Sequence, residues 1–400
     1  MGSLLLKISF ADVTVDDPAI RQAAELIRRG GLVAFPTETV YGLGANALDR
    51  EAVLRIFEAK QRPAWDPIIV HACSIEMAKS LVRAWPEAAQ KLSACFMPGP
   101  LTLLLPKQDI IPDACTAGRE KVGIRIPAHP VALALIEAAG VPIAAPSANR
   151  FGGASPTTAS HVQRDLDGRI DAILDAGPSE IGVESTVIDI TARPPMIYRP
   201  GGISREQIEF VLGPVRLAAR EIRGGVPPES LESPGLGIRH YAPRATLVLV
   251  DDERAMAIAT EQLVARGEHV GLMLPDGWLP FSRKVDPMKQ PGAGSPANAD
   301  ISVRWGDSQS GGDGSGIQQP ENCSSVTEVR QCVVFSWGKF DQLPMLAARL
   351  YAGLRWLDEH RVTVILCPIP PATGIGLAIL DRLRKAAARP TSDPSRESTR

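Results

Sequence analysis

Apolar residues recur at helical spacing in several stretches of this chain, and each stretch has recognisable ends. Ile20, Ala24 and Ile27 share one face after Asp16-Asp17-Pro18 and stop at Gly30, predicting a helix with an aspartate cap and a proline in its first turn. Val53, Ile56 and Phe57 repeat the pattern behind Asp49. A third helix is expected over 130–139, halted by Gly140, and a fourth from a cap at Thr157 or Thr158 to near Gly168. Ser204 with Gln207 has capping-box spacing for a fifth, closed by Gly213. Between these lie apolar runs too short for helices, at 32–35, 68–70, 101–105, 122–126, 141–145, 185–190 and 196–198, which read as strands. Helices and strands alternate, so residues 1–213 are expected to form an α/β domain.

The pattern then breaks. Residues 214–244 are rich in Pro, Gly, Ser and Glu and read as a linker. A second alternation follows over 245–389: a strand at 246–250, a helix at 253–266, a strand at 270–274, a long helix at about 341–360, a strand at 362–367 and a helix ending near 388. This is the order of a small doubly wound, Rossmann-like domain. Residues 283–331 are crowded with Gly, Ser, Asn, Asp, Gln and Pro and are expected to be a disordered insertion, as is the tail over 390–400.

Composition narrows the function classes. A chain of 400 residues, 44% hydrophobic, has material for two cores. A formal net charge of -2 means the surface as a whole does not attract nucleic acid, so any RNA contact needs a local patch. The six cysteines show no CxxC and no zinc spacing, which suits reduced thiols in a cytoplasmic protein. No secretory signal is visible at the N-terminus, and the longest apolar zone, 131–148, is broken by Glu137, Gly140 and Pro142, so no membrane span is expected.

Candidate chemistry concentrates between Gly30 and His71. Pro63 disfavours the α conformation for the residue before it, so Lys60 and Arg62 are expected on an extended segment. Side chains two apart on such a segment point the same way, making a two-pronged cation suited to polyphosphate; a solvated surface pair is the alternative. Ser147 and Asn149, within Ala144-Ala145-Pro146-Ser147-Ala148-Asn149, have the same spacing, with small neighbours that let a ligand approach the backbone. Read alone, that segment is equally an Asx or Ser turn ending a strand. Thr37 and Thr39 repeat the spacing after the first strand. Arg125 sits inside the apolar run 122–126, where a guanidinium needs an anion, supplied by a structural carboxylate or by a substrate. Arg199 precedes Pro200 as Arg62 precedes Pro63. His71, at a strand end, is the histidine expected near the site; His129, His161, His269 and His360 are expected at the surface or in caps. There is no GxSxG elbow, Walker loop, GxGxxG after a strand or metal motif, so no covalent nucleophile is indicated.

Taken together, GGLVAFPTETVYGLGANA, EAKQRP, PGPLTLLLP, VGIRIP, AAPSAN, GVESTVID, YRPGGIS and HYAP resemble, in order, the YrdC-type threonylcarbamoyl-AMP synthase family in its long two-domain form. The likeness covers about 18–215 closely, and LYAGLRWLDE and TGIGLAILDRLRKAA extend it into the second domain. It implies a twisted YrdC-like α/β domain with a large concave, electropositive cleft, followed by a smaller α/β C-terminal domain. It also implies a nucleotidyltransferase that condenses L-threonine, bicarbonate or carbon dioxide, and ATP carrying magnesium into threonylcarbamoyl-adenylate and pyrophosphate. The product would pass to a downstream tRNA threonylcarbamoyl transferase, with tRNA itself a further candidate partner. By position, Thr39, His71, Arg125, Ser147 and Ser185 resemble threonine contacts. Lys60, Arg62, Asn149, Ser155 and Arg199 resemble nucleotide contacts, and Tyr241 resembles the contribution of a linker folded over the cleft. Lys60, Arg62 and His71 are the candidates for catalysis. Asp66 stands where that family often has Asn. A different class of function, an RNA-binding module of the same fold without adenylation, is the alternative.

Overall fold

The computed structural model describes residues 2–9, 13–218, 241–278 and 332–388. The expected insertion at 283–331, the tail over 390–400 and most of the expected linker lie outside the described residues.

The five expected helices are present, and their ends are the ones the side chains dictate. Asp17 caps Pro18–Arg28 by accepting from the Ala19 amide, and Asp49 caps Arg50–Lys60. Pro130–Ala139 closes on Gly140 in a left-handed conformation, Thr158 caps Ala159–Leu166, and Ser204 and Gln207 form the capping box of Arg205–Leu212. Three further helices, Ile75–Ser80, Glu87–Phe96 and Asp113–Thr116, had no such marked periodicity.

The larger unit is built on an 11-stranded mixed sheet. Its first strands are β1 (Leu4–Lys7), β2 (Val33–Phe35), β3 (Gly42–Asn46), β4 (Val70–His71), β5 (Leu101–Pro106) and β6 (Lys121–Arg125). They are followed by β7 (Ile143–Ala144), β8 (Ala172–Asp175), β9 (Thr186–Asp189), β10 (Met196–Arg199) and β11 (Arg216–Leu217). Across the sheet the order is β1-β8-β2-β3-β7-β4-β6-β5-β9-β10-β11. Strand β11 lies beyond residue 213, so the sheet takes in the start of the expected linker. This order brings distant motifs together. His71 pairs in register with Arg125 on one side and with Ile143 on the other, while β9 lies between β5 and β10.

The smaller unit has four parallel strands, β12 (Thr246–Val250), β13 (Val270–Pro275), β14 (Val333–Gly338) and β15 (Val364–Pro368), in the order β12-β15-β13-β14. Helices Glu253–Ala265, Leu343–Glu359 and Gly376–Ala387 accompany them, as a parallel sheet requires. Strand β14 follows the low-complexity stretch directly and was not anticipated.

The two units touch through helices Leu343–Glu359 and Gly376–Ala387. Gly182 lies at φ +76°, and a Cβ there would run into the backbone of Ala347 and Ala348, so only glycine lets the loop before β9 lie against the first of these helices. Arg355 reaches across to Asp165 at 2.6 Å and to the carbonyl of Ala154.

Candidate active site

A cleft opens in the larger unit, and residues far apart in sequence line it: Thr37 and Thr39, Arg62, His71, Arg125, Ser147, Glu184, Arg199 and Tyr241. Three guanidinium groups therefore meet in one space. Each is anchored in the same way. Arg125 donates from Nε to Gly99 O, and its Nη2 reaches Thr39 Oγ1 at 2.9 Å and Glu38 Oε1 at 2.8 Å. Arg62 donates from Nε to Asp66 O and from Nη2 to Pro67 O at 2.7 Å, with Asp66 Oδ1 at 3.0 Å. Arg199 donates from Nε to Ser185 O and from Nη2 to Ser185 Oγ, both at 3.1 Å. In all three, Nη1 is taken by no acceptor among the described residues. A buried arginine held along one edge is already oriented, so a ligand anion meets a charge that need not be ordered first.

The anion that Arg125 needs within its strand is thus supplied by Glu38, a carboxylate within the 37–39 threonine pair. Asp66 has the same structural use beside Arg62.

His71 is 3% exposed and sits edge-on to Phe35, with ring centroids 6.3 Å apart. Burial, and then the neighbouring Arg125 charge, push its pKa down to about 3. Its Nδ1 has no hydrogen-bond partner among the described residues. The cleft is therefore lined by a neutral imidazole whose Nδ1 is itself buried.

The expectation for Lys60 is corrected. It is the last residue of helix Arg50–Lys60, and Gln61 caps that helix in a left-handed conformation, φ 55° and ψ 40°, so the segment is not extended. Pro63 constrains only Arg62, and the helix ends two residues before that proline. The two heads part. Lys60 is 1% exposed, its Nζ donates to the carbonyls of Ser147 (2.5 Å) and Asn149, and burial drives its pKa well below the usual lysine range. Lys60 does not line the cleft; it ties the 147–149 segment to the helix.

Three other candidates also point into the protein. Asn149 gives its Nδ2 to Arg150 O and Gly153 O and accepts from Ser147 Oγ at 2.5 Å. Ser155 donates to Glu184 Oε1 at 2.6 Å, and Ser185 Oγ is shared between Thr102 and Arg199. These side chains set the walls and do not form the surface. Tyr241 does line the cleft, in a left-handed backbone conformation with φ 66°, its ring tilted against Tyr351 at 5.8 Å.

Glu184 is the lining group that sequence reasoning missed. Burial raises its pKa, but the Arg382 and Arg199 charges outweigh this and hold it at about 2. A carboxylate in the apolar run GVESTVID was the signal that could have found it, by the argument applied to Arg125. Of the other histidines, His129 caps Pro130–Ala139 by accepting from the Val131 amide. His161 is 9% exposed, against Thr157, and is not a surface residue. The described cysteines are all free, and among the described residues no group of three or more His, Cys, Asp or Glu could hold a metal ion. No described helix is long and apolar enough to cross a membrane.

The Sua5–YciO–YrdC family model, described as telomere recombination, matches residues 25–201. A second, described as threonylcarbamoyl-AMP synthase, C-terminal domain, matches residues 203–388. Threonylcarbamoyl-AMP synthase of Pyrococcus abyssi is 41% identical over 374 residues, 93% of this chain and 95% of its own. That of Bacillus subtilis is 42% identical over 385 residues, 94% and 96% of the two chains. The structure of P. abyssi Sua5 complexed with L-threonine aligns with a TM-score of 0.78 at 38% identity, covering 96% of this chain and 98% of that one. With both halves matched and relatives spanned nearly end to end, this chain belongs to the two-domain Sua5/YrdC family of threonylcarbamoyl-AMP synthases.

Proposed function

We propose that this protein condenses L-threonine, bicarbonate or carbon dioxide, and ATP to threonylcarbamoyl-adenylate, releasing pyrophosphate. The observation that carries this reading is the trio Arg62, Arg125 and Arg199, each anchored through Nε and Nη2 and facing one cleft, in a chain of this family. Threonine's amine captures carbon dioxide, and the carbamate oxygen then attacks the α-phosphorus of ATP. Neither step needs an enzymic nucleophile. Both need orientation and positive charge on the phosphates as pyrophosphate leaves. Arg125, with Thr39 fixing its plane, takes the threonine carboxylate, and the neutral His71 orients the amine or carbamate N–H. With a pKa of about 3, His71 is a poor base for an ammonium, so orientation is its part. Arg62 and Arg199 take phosphate charge, and Tyr241 closes that end of the cleft. Lys60, Asn149, Ser155 and Ser185 act by holding these groups in place, with Ser147 at the cleft surface. Magnesium enters as part of the ATP substrate, held by the phosphates and water.

The product is a mixed anhydride suited to a transferase that modifies the adenosine beside the anticodon in tRNA, and we place the protein in the cytoplasm with those partners. The RNA-binding alternative is not favoured, since the cations are anchored inside a cleft and not spread over a face that could follow a helix. The deciding assay is pyrophosphate release with each reactant withheld in turn. Release should require threonine, bicarbonate and ATP together. Release without threonine, or tight salt-sensitive RNA binding with no ATP consumption, would overturn the proposal.

A further inference from the structure

The charged cluster at the back of the cleft has its cations in the second domain. Glu184 has 6% exposure and lines the cleft, yet most of its hydrogen bonds come from the smaller unit. Arg382, on helix Gly376–Ala387, donates from Nε to Glu184 Oε2 at 2.7 Å. Tyr351, on helix Leu343–Glu359, sets its hydroxyl 3.1 and 3.0 Å from the two carboxylate oxygens. The same guanidinium lies over the ring of Tyr241, 5.1 Å from its centroid, and Tyr351 packs on that ring from its own side. Arg382 is 1% exposed and fully within the protein.

An interface ion pair could be mere glue between domains. Three observations tie this one to the cleft. Glu184 precedes Ser185, whose carbonyl and hydroxyl are the two anchors of Arg199. Gly201, two residues after Arg199, packs on the backbone of 184–186 so closely that a Cβ would collide with it, so segments 184–186 and 199–201 lie in direct backbone contact. Tyr241 and Glu184 are themselves cleft walls. The chain of contacts therefore runs from Arg382 to Glu184, to Ser185, to Arg199, and separately from Arg382 to Tyr241.

We propose that Arg382, seconded by Tyr351, is a positioning residue for the nucleotide end of the cleft: the C-terminal domain sets Arg199 and Tyr241 through Glu184 and does not touch substrate itself. The threonine end, built from Thr39, His71 and Arg125 on β4, β6 and the 37–39 turn, meets the loop before Glu184 through backbone hydrogen bonds, from Gly182 N–H to Thr39 O at 3.0 Å and from Ile181 N–H to Glu38 O at 2.8 Å, and not through the side chains of Arg382 or Tyr351 among the described residues. The two substrates should therefore respond differently. This rests on the proposed adenylation, and the test separates the two.

The test uses the full chain as Arg382→Met and as Tyr351→Phe, with steady-state KM for ATP and calorimetric Kd for threonine. In Arg382→Met the ATP KM should rise roughly tenfold, in the range of inter-site couplings, with the threonine Kd within twofold of wild type. Tyr351→Phe keeps the ring and removes only the hydroxyl, so it should fold, and it should raise the ATP KM by about threefold with threonine again unmoved. If Arg382→Met does not fold, Tyr351→Phe decides alone. An unchanged ATP KM in folded variants, or equal weakening of both substrates, would overturn the positioning role. Absence of threonine-dependent pyrophosphate release by the wild type would instead overturn the proposed reaction.

Discussion

Lowering the pH should unfold this protein partly through His71, and the size of the effect follows from its surroundings. The ring is 3% exposed beside Arg125, and its pKa is pushed down to about 3. An unfolded chain returns it to about 6.5. Between these values the unfolded state binds a proton that the folded state refuses, so stability rises with pH and is lost as pH falls below about 6.5. Each pH unit in that window is worth about 1.4 kcal/mol, so going from neutral to pH 5 removes about 2 kcal/mol through this residue. His161, also pushed to about 3 by burial and then by Arg355 and Arg164, adds a slope of the same sign. It is common to the wild type and to His71→Gln and cancels between them. Melting both proteins at pH 7.5 and 5.0 isolates His71. On a domain of this size the wild-type midpoint should fall by about 4–8 °C more than that of the variant. Equal falls would show that His71 is not held neutral in the folded cleft, and its assignment as an orienting imidazole would go with it.

Lys60→Met should leave the carbonyls of Ser147 and Asn149 without a donor and destabilise the protein by about 2–4 kcal/mol, read by thermal melting; a variant with wild-type stability and no turnover would restore a direct catalytic part to the ammonium. Arg125→Met strands Glu38 as a buried carboxylate, a loss of about 3–5 kcal/mol that Arg125→Met/Glu38→Gln should largely recover. Threonine affinity, by calorimetry, should stay at least tenfold down in both, and recovery in the double variant would remove Arg125 from the substrate site. Gly182→Ala puts a Cβ into the Ala347 backbone from a left-handed conformation, so it should lower the midpoint by more than about 1 kcal/mol's worth and speed proteolysis between the domains; wild-type behaviour would mean that this loop does not bear on helix Leu343–Glu359.

Where a side chain acts on its own backbone neighbours, the sequence was readable. Asp17, Asp49, Thr158 and the Ser204–Gln207 pair cap the helices expected of them, because a cap spans only three or four residues. Elements were missed or drawn too long where that locality gave out. Strand β14 emerges from a low-complexity stretch, and β7 is only two residues long because its neighbours β3 and β4 define it. Lys60 shows the same limit inside the site. A proline three residues later reads as a command to extend, but the helix stops on Gln61 first, and the two cations go to opposite jobs.

The chain by itself determined the alternation of helices and strands and which segments carry chemistry. Those follow from local propensity and from the cost of placing Arg125 or Asn149 in apolar surroundings without a reason. Only the tertiary structure decided which of those residues face a substrate. Sheet order put His71 beside Arg125 across 54 residues of chain, and domain packing gave Glu184 partners 167 and 198 residues away. A buried polar group takes whichever partner the folded neighbourhood supplies, and no pattern of nearby residues encodes a neighbour that distant.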